Sequence, residues 1–201
     1  HDANTIYVGT DDGLVQVTRD AGATWTNITP SAAGDGLVNE IEVSPHDAAT
    51  VYVAFRKDRV GDPTPHVFKS TDAGRSWTRI VTGLREGEPV RVVREDTERR
   101  GLLYAGTETG VYVSYDGGTR WQPFSGNLPV VPVTDLEVRH GDLIASTEGR
   151  SFWIFDDLSP VRQHADSVVA AAVHLYRPRS AILFGGTGGG GGFGGRNAGR
   201  N

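Results

Sequence analysis

The sequence predicts an all-β protein assembled from repeated four-stranded antiparallel units, and two recurring patterns carry this prediction. Four words rich in β-branched and aromatic residues, TIYVGT, TVYVAF, LLYAGT and DLIAST, begin at residues 5, 50, 102 and 142. A second word, S/T-x-D-x-G-x-x-W, keeps the same phase, with its aspartate at positions 20, 72 and 116. Short strands at this spacing are typical of β-propeller blades, whereas a helical solenoid would show apolar residues every 3.6 positions.

The second unit shows its four strands most clearly. Strand A is expected at Leu37–Val43, strand B at Thr50–Phe55, strand C at His66–Ser70 and strand D at Trp77–Val81. Turn residues separate the strands, and the nine-residue loop Lys57–Pro65 between strands B and C is the longest connection. The same pattern divides the chain into blade pieces at about 1–29, 37–82, 89–125 and 132–157.

We expect two complete blades flanked by two partial ones, with the propeller part ending at residue 158. The word HDANTIYVG at residue 1 matches HDAATVYVA at residue 46, so the first unit is expected to begin in the turn after strand A. The fourth unit continues after strand C as DDLSPVRQ, without a fourth strand. Because a closed ring needs roughly four to eight blades, we expect the remaining blades and a C-terminal domain to belong to the same parent chain.

Three segments follow the propeller. Residues 159–172 are expected to form a linker or short helix, because Ser159 and Pro160 suit the first positions of a helix. Residues 173–184, VHLYRPRSAILF, alternate in polarity and predict the first strand of a truncated C-terminal domain. Residues 185–201 are Gly-rich and predict a flexible tail.

Composition excludes several classes of function. The chain has no cysteine, so disulfides, thiolate metal sites and a cysteine nucleophile are excluded. Its net charge of −5 argues against a nucleic-acid partner, which would favour a basic face. No apolar run approaches the roughly 18 residues that a membrane-spanning helix needs, and the six histidines show no metal-binding spacing. We therefore expect no cofactor, no metal, no nucleic acid and no membrane span.

The aspartate words are best explained as turns that the fold needs once in each blade. Aspartate accepts hydrogen bonds from nearby backbone N–H groups, glycine adopts positive φ without strain, and tryptophan can bury a large ring beside the blade. A calcium loop would need several oxygen ligands, and three separate aspartates make no catalytic set. The residues assigned to these turns are Thr18, Asp20, Gly22, Trp25, Ser70, Asp72, Gly74, Trp77, Ser114, Asp116, Gly118 and Trp121.

These words resemble the Asp-box, or BNR repeat, of sialidases, xyloglucanase-type glycoside hydrolases and sortilin-like receptor domains. The stretches GLLYAGTETGVYVSYDGGTRW, NLPVVPVTDLEV, GRSFWIFDDLSP and HLYRPR resemble a narrower group, large exported bacterial proteins described as glycosyl hydrolases or sortilin-like. The resemblance covers about residues 1–180. It implies an extracellular or periplasmic propeller and no established reaction, since the box is structural in these families.

Strand direction divides the loops between two faces of the ring. The aspartate words and the A–B turns share one face, and the B–C loops and D–A connections share the other, which we call the B–C face. Propellers usually bind ligands on this second face, so we expect a glycan or peptide there. The candidate ligand-binding residues are Asp11, Asp12, Lys57, Asp58, Arg59, Asp62, His66, Arg85, Glu108 and Arg150.

A glycoside hydrolase is the alternative, and a purely structural scaffold is a third hypothesis. A retaining glycosidase needs two carboxyl groups about 5 Å apart, and an inverting one needs them about 6.5 to 9.5 Å apart. Glu40, Asp135 and Glu148 are candidates for such a pair, but the sequence selects no two of them. Part of a catalytic set is expected to lie on blades outside this chain.

Overall fold

A computed structural model of the chain describes residues 2–180 and contains four antiparallel sheets. The first sheet contains β1 (Ile6–Gly9), β2 (Val15–Thr18) and β3 (Thr26–Asn27). The second contains β4 (Leu37–Val43), β5 (Val51–Arg56), β6 (His66–Ser70) and β7 (Thr78–Arg79). The third contains β8 (Val90–Glu95), β9 (Leu103–Thr107), β10 (Val111–Ser114) and β11 (Gln122–Pro123). The fourth contains β12 (Val133–Arg139), β13 (Asp142–Thr147) and β14 (Phe152–Phe155).

These sheets are blades of a partial β-propeller, as the sequence predicts. Within each blade the strands are hydrogen-bonded in chain order, so every connection is a short antiparallel one. The first strands of the second, third and fourth blades meet, since β4 contacts β8 and β8 contacts β12. They therefore form the inner wall of the ring, while the two-residue strands β3, β7 and β11 lie at the outer edge.

The strands of the second blade lie where the sequence places them, apart from the last. The boundaries Leu37–Val43 and His66–Ser70 agree with the structure, and β5 is shifted by one residue from the expected Thr50–Phe55. The predicted strand D, Trp77–Val81, pairs with β6 only over Thr78–Arg79. Trp77 precedes this strand, and its side chain is bound to the preceding blade, as described below.

The segment after the fourth blade packs against the third blade. It contains two four-residue helices, α1 (Ser159–Arg162) and α2 (Asp166–Val169). Arg162 Nε lies 3.0 Å from each carboxylate oxygen of the buried Asp96. Tyr115 in the third blade stacks on His164, with ring centroids 3.9 Å apart. These contacts attach residues 159–166 to the blades.

The strand expected at residues 173–184 is absent from its described part. Residues 173–180 contain no strand, because no neighbouring strand offers them backbone partners and side chains such as Val173 and Leu175 stay exposed. Residues 181–184 and the Gly-rich segment 185–201 lie outside the described residues. No helix within residues 2–180 is both long and apolar enough to cross a membrane.

Apolar contacts hold the blades together, and each pair of neighbouring blades encloses its own core. The core between the first and second blades includes Val15, Val17, Ile28, Val53 and Phe55. The core between the second and third includes Tyr52, Val67, Ile80, Val93 and Trp121. The core between the third and fourth includes Tyr104, Val113, Val133, Leu136 and Leu143. Burial of apolar side chains between sheets is therefore the main force that orders the ring.

A repeated joint reinforces two of these interfaces. Trp77 Nε1 donates a 2.6 Å hydrogen bond to the carbonyl of Ile28 in the preceding blade, and Trp121 Nε1 donates a 2.8 Å bond to that of Ile80. Gly74 packs against the Ile28 side chain, and Gly118 packs equivalently against Ile80, so closely that a Cβ at either glycine would collide with it. The aspartate word thus joins the second blade to the first and the third blade to the second.

Two blade faces in the described chain have no neighbouring blade against them. On the first blade, Trp25 is 44% exposed and lines a shallow groove with Val8, and Ile6 is also exposed. On the fourth blade, Phe152 is 74% exposed and Ile154 is also exposed. These apolar faces correspond to the faces that are buried between the other blades.

The two tryptophans Trp121 and Trp25 provide a matched test of the blade joint. Trp121→Ala should lower the free energy of unfolding by about 3 to 5 kcal/mol, because it removes a side chain that is only 2% exposed. Trp25→Ala should cost about 1 kcal/mol or less, because this ring has no blade to pack against. Urea denaturation of the two variants measures the difference, and equal losses would contradict the proposed joint.

Candidate functional site

The aspartate words fold into closed turns, which we call Asp turns (residues 18–25, 70–77 and 114–121). In the second turn, Ser70 Oγ donates to Asp72 Oδ1 (2.8 Å) and accepts from the N–H of Gly74 (2.8 Å). The backbone N–H of Ser76 also donates to Asp72 Oδ1 (2.8 Å), and its hydroxyl donates to Asp72 Oδ2 (2.7 Å). Both carboxylate oxygens of Asp72 are therefore used within the turn.

The other two Asp turns repeat this arrangement. Asp20 accepts hydrogen bonds from Thr18 Oγ1 and from the backbone and hydroxyl of Thr24. Asp116 accepts from Ser114 Oγ and from the N–H of Arg120. Each turn is also hydrogen-bonded to the A–B turn of its own blade. In the second blade, the N–H of Ala73 donates to the carbonyl of Ala49 (2.8 Å).

Hydrogen bonds within the first two Asp turns stabilise ionised carboxylates. Hydrogen bonds from Ser76 and Ser70 lower the pKa of Asp72 to about 2, and those from Thr24 and Thr18 lower the pKa of Asp20 to about 2. A general acid or base works best with a pKa near the working pH. Asp72 and Asp20 are therefore suited to a structural role rather than to acid–base catalysis.

The long loop Lys57–Pro65 on the B–C face is held mainly by contacts within itself. A short 3-10 helix occupies Asp58–Val60. Asp62 accepts hydrogen bonds from the N–H and hydroxyl of Thr64 (3.1 and 2.6 Å) and lies 2.8 Å from His66 Nε2. The Lys57 ammonium lies 3.6 Å from Asp62. Burial lowers the pKa of His66, while the hydrogen bond from the Thr64 hydroxyl is the largest cause of a lowered pKa at Asp62.

Several of the candidates expected on the B–C face do not come together. Asp12 binds the hydroxyl of Thr10 in its own turn. Within residues 2–180, no ion pair joins any of these exposed candidates to a partner: Asp11, Arg59, Arg85 and Arg150. These four side chains therefore take no part in the ion pairs recorded at the inner wall.

The inner strands carry a β-bulge at equivalent positions near the B–C face. The pairing register shifts between Val38 and Glu40 in β4, between Val90 and Val92 in β8, and between Val133 and Asp135 in β12. The extra residues are Asn39, Arg91 and Thr134. Asn39 Nδ2 donates to the carbonyl of Arg91, which links the bulges of the second and third blades. Bulges redirect side chains and are frequent beside functional sites.

Arg91 is the centre of a charged cluster that we call the rim network (Arg56, Asp58, Arg91, Glu108 and Glu148). Its guanidinium makes two hydrogen bonds to Glu108, of 2.7 and 3.1 Å, and one of 3.1 Å to Glu148. Arg56 makes a two-bond pair with Asp58 (2.8 and 3.2 Å) and approaches Glu108 at 3.9 Å. The network therefore spans three blades at the B–C face and includes the expected candidates Asp58, Glu108 and Glu148.

A second arginine, Arg94, lies deeper along the inner wall. It forms ion pairs with Glu40 and with Glu42 of the second blade, the latter at 3.4 Å, and with Asp135 of the fourth blade at 2.9 Å. Glu40 and Asp135, from the second and fourth blades, thus share one guanidinium. Both carboxyl groups therefore contact a guanidinium, whereas the two carboxyl groups of a glycosidase flank the scissile bond.

Glu42 is a titratable group that the sequence analysis missed. Burial raises its pKa to about 7, in spite of the attraction of Arg94. Glu42 Oε1 accepts a 3.3 Å hydrogen bond from the backbone N–H of Glu95. The alternating polarity of LVNEIEV predicts that Glu40 and Glu42 share one strand face. Only the packing of blades shows that Arg94 meets them.

One groove lies away from the charged inner wall. This groove of about 560 Å³ runs along the outer side of the Asp turns, between residues 26–32 of the first blade and residues 74–79 of the second. It is formed where two blades diverge at their short outer strands. Among residues 2–180, no group of three or more His, Cys, Asp or Glu side chains is arranged to hold a metal ion.

Comparison with solved structures identifies the same architecture in other proteins. The chain is similar to YCF48 bound to D1 peptide, with a TM-score of 0.58 and 20% identity over 77% of this chain and 49% of YCF48. It is also similar to the GH74 xyloglucanase from Xanthomonas campestris, with a TM-score of 0.59 and 20% identity over 75% of this chain and 25% of the enzyme. These neighbours are β-propellers.

A third similar structure is the extracellular domain of a putative one-component system from B. thetaiotaomicron. The TM-score is 0.54, and 16% identity extends over 77% of this chain and 20% of that domain. The chain thus spans half or less of the length of all three structures, and identities at this level show the fold alone. No protein-family model and no curated protein matches the sequence.

The first two Asp turns should make stability depend on pH in the acidic range. A carboxyl whose folded pKa is about 2 stabilises the fold above its ordinary value of 3.8, and this stabilisation is lost as pH falls towards 2. Asp72→Asn should therefore be less stable than the wild type at pH 6 and should show a shallower decline between pH 4 and pH 2. Urea midpoints across this range test the prediction, with the exposed Asp35→Asn as a charge-matched control that keeps the wild-type slope.

Glu42 should have the opposite effect near neutral pH. Its folded pKa of about 7 lies above its ordinary value, so its contribution to stability falls as pH rises from 5 to 8. Glu42→Gln should therefore be more stable than the wild type at pH 8, by at most about 3 kcal/mol, with little difference at pH 5. The facing charges Arg94, Glu40 and Glu95 remain in the variant.

Glu86→Gln, on an exposed D–A connection, is the control for Glu42→Gln and should follow the wild-type pH profile. Unfolding measured by urea at pH 5, 6, 7 and 8 gives the comparison. A Glu42→Gln profile parallel to that of the wild type would show that Glu42 is not the group that titrates.

Proposed function

We propose that the chain is an Asp-box propeller module of a larger exported protein and that it binds a peptide or glycan ligand at its B–C face. A peptide is the better match, because the rim network offers both arginine and carboxylate groups across three blades. The remaining blades and a C-terminal domain of the same parent chain are the expected structural partners. The proposed location is extracellular or periplasmic.

The observation that carries this proposal is the bulged position of Arg91. A bulge lifts Arg91 out of the regular alternation of β8, and two carboxylates from the B–C loops of the third and fourth blades hold its guanidinium. Hydrogen bonds with Glu108 and charge attraction raise the pKa of Arg91, so its charge is fixed. A guanidinium in this position can exchange one carboxylate partner for that of a ligand.

Two of the structural neighbours support this proposal, one by its bound peptide and the other by its location outside the cell. YCF48 is a propeller of similar fold that was solved with a peptide bound. The domain from B. thetaiotaomicron is described as extracellular. The contacts inside the Asp turns support the Asp-box assignment, because each carboxylate is used to close its own turn.

A glycoside hydrolase is the second candidate. Its support is the likeness to a GH74 xyloglucanase, together with the way that Arg94 brings Glu40 and Asp135 into one site. Against it stands the direct pairing of both carboxylates with the guanidinium. A catalytic pair would then need a further carboxylate from another blade.

A variant of Arg91 tests the binding proposal. A peptide array and a glycan array probed with the whole chain select a ligand, whose affinity is then measured by fluorescence anisotropy. Arg91→Ala should weaken binding roughly 10- to 100-fold, the usual cost of truncating a central arginine anchor. Arg120→Ala, which removes an exposed arginine from the third Asp turn on the opposite face, should leave affinity unchanged.

Two outcomes would contradict the proposal. Unchanged affinity in a folded Arg91→Ala variant would move the site away from the rim network. Turnover of chromogenic glycosides that is lost in Asp135→Asn or Glu40→Gln would favour the hydrolase. Circular dichroism and the thermal midpoint establish that each variant is folded.

A further inference from the structure

A cavity opens in the inner wall at the end nearest the Asp turns, away from the rim network. Its volume is about 340 Å³. Its charged lining residues are Glu40, Glu42, Arg94, Glu95 and Glu137. Its remaining lining residues are Val43, Pro45, Thr97 and Val138. We propose that this cavity binds a cationic side chain, lysine or arginine, of a peptide ligand.

The charge of the lining is the first argument. Four carboxylates face one guanidinium, so the cavity is acidic even though Arg94 pairs with Glu40 and Glu42. In a partly buried site such charges are weakly screened and favour a cation that enters. Burial raises the pKa of Glu42 to about 7, so this carboxyl is mainly ionised at pH 8.

The second argument is independent and concerns Glu95. This residue lines the cavity but is only 3% exposed. Its Oε1 accepts a 2.7 Å hydrogen bond from the N–H of Gly101, whereas its Oε2 has no hydrogen-bond partner within the described part of the chain. The hydroxyl of Tyr52 lies beside Glu95, and its pKa is raised chiefly by burial and further by this carboxylate. A buried carboxylate with an unused oxygen is costly unless a positive charge compensates it.

The shape of the lining favours an organic cation over a metal ion. Val43, Pro45 and Val138 form apolar walls beside the carboxylates. A lysine or arginine side chain carries a methylene stem that packs on such walls while its charged end reaches the acids. The carboxylates are not grouped as metal ligands anywhere in residues 2–180.

The cavity is separate from the proposed ligand site at the rim. Arg94 follows Arg91 by three residues in β8, a separation of about 10 Å along a strand. The two sites also differ in charge, because the rim network pairs two arginines with three carboxylates. The inference therefore does not depend on the function proposed for the B–C face.

Titration calorimetry at pH 8 with two short peptides tests the inference. The whole chain should bind Ac-Gly-Lys-Gly-amide at least 10-fold more tightly than the matched norleucine peptide. Glu42→Gln and Glu137→Gln should each weaken lysine-peptide binding about 3- to 10-fold. Glu137 is exposed, so its variant should fold normally. The exposed Glu86→Gln, on the opposite face, is the control and should bind like the wild type.

Three results would overturn the proposal. Equal affinity for the lysine and norleucine peptides would show that the cation is not recognised. Lysine-peptide binding that Glu42→Gln and Glu137→Gln leave unchanged would place the cation elsewhere. Calcium that binds to the cavity and displaces the peptide with the same dependence on Glu42 and Glu137 would make it a metal site. Arg91→Ala distinguishes the two sites, because it should leave lysine-peptide affinity intact.

Discussion

Burial of each sheet between two neighbours is the constraint on which the rest of this structure depends. A blade of three or four short strands has two apolar faces and cannot bury both alone. The three interblade cores bury both faces of the second and third blades, where Tyr52, Phe55 and Tyr104 are fully buried. The outer faces of the first and fourth blades show the cost of lacking a neighbour, since Trp25 and Phe152 remain exposed there.

The Asp turns of the second and third blades fix the position of each blade against the preceding one in the same way. Their carboxylates close the turn, their glycines allow close approach to an isoleucine of the preceding blade, and their tryptophans bind the carbonyl of that same isoleucine. Because one end of the second and third blades forms this joint, the loops at their other end make fewer contacts that the fold requires. The bulges and the rim network both lie at that freer end.

The sequence predicts the strands well because their period and turn residues are local signals. Val-rich words, Gly-containing turns and the aspartate word place β4 and β6 to the residue. The role of Trp77 in the joint, the bulge at Arg91 and the meeting of Arg94 with Glu40 are not local, since each depends on a neighbouring blade. The scattered loop charges Asp11, Arg59, Arg85 and Arg150 were candidates because of their position alone.

On the inner wall, a charged residue in the middle of a strand is a better indicator of a functional site than a charged residue in a loop. A loop charge is solvated and costs little, so its presence carries little information. Arg94 and Glu42 instead lie in β-strands at the centre of a ring, where desolvation of each charge has to be offset by a partner. Arg94 has three such partners, whereas Glu95 keeps an unused oxygen. This imbalance makes the wall asymmetric, with paired charges at the B–C face and excess negative charge towards the Asp turns.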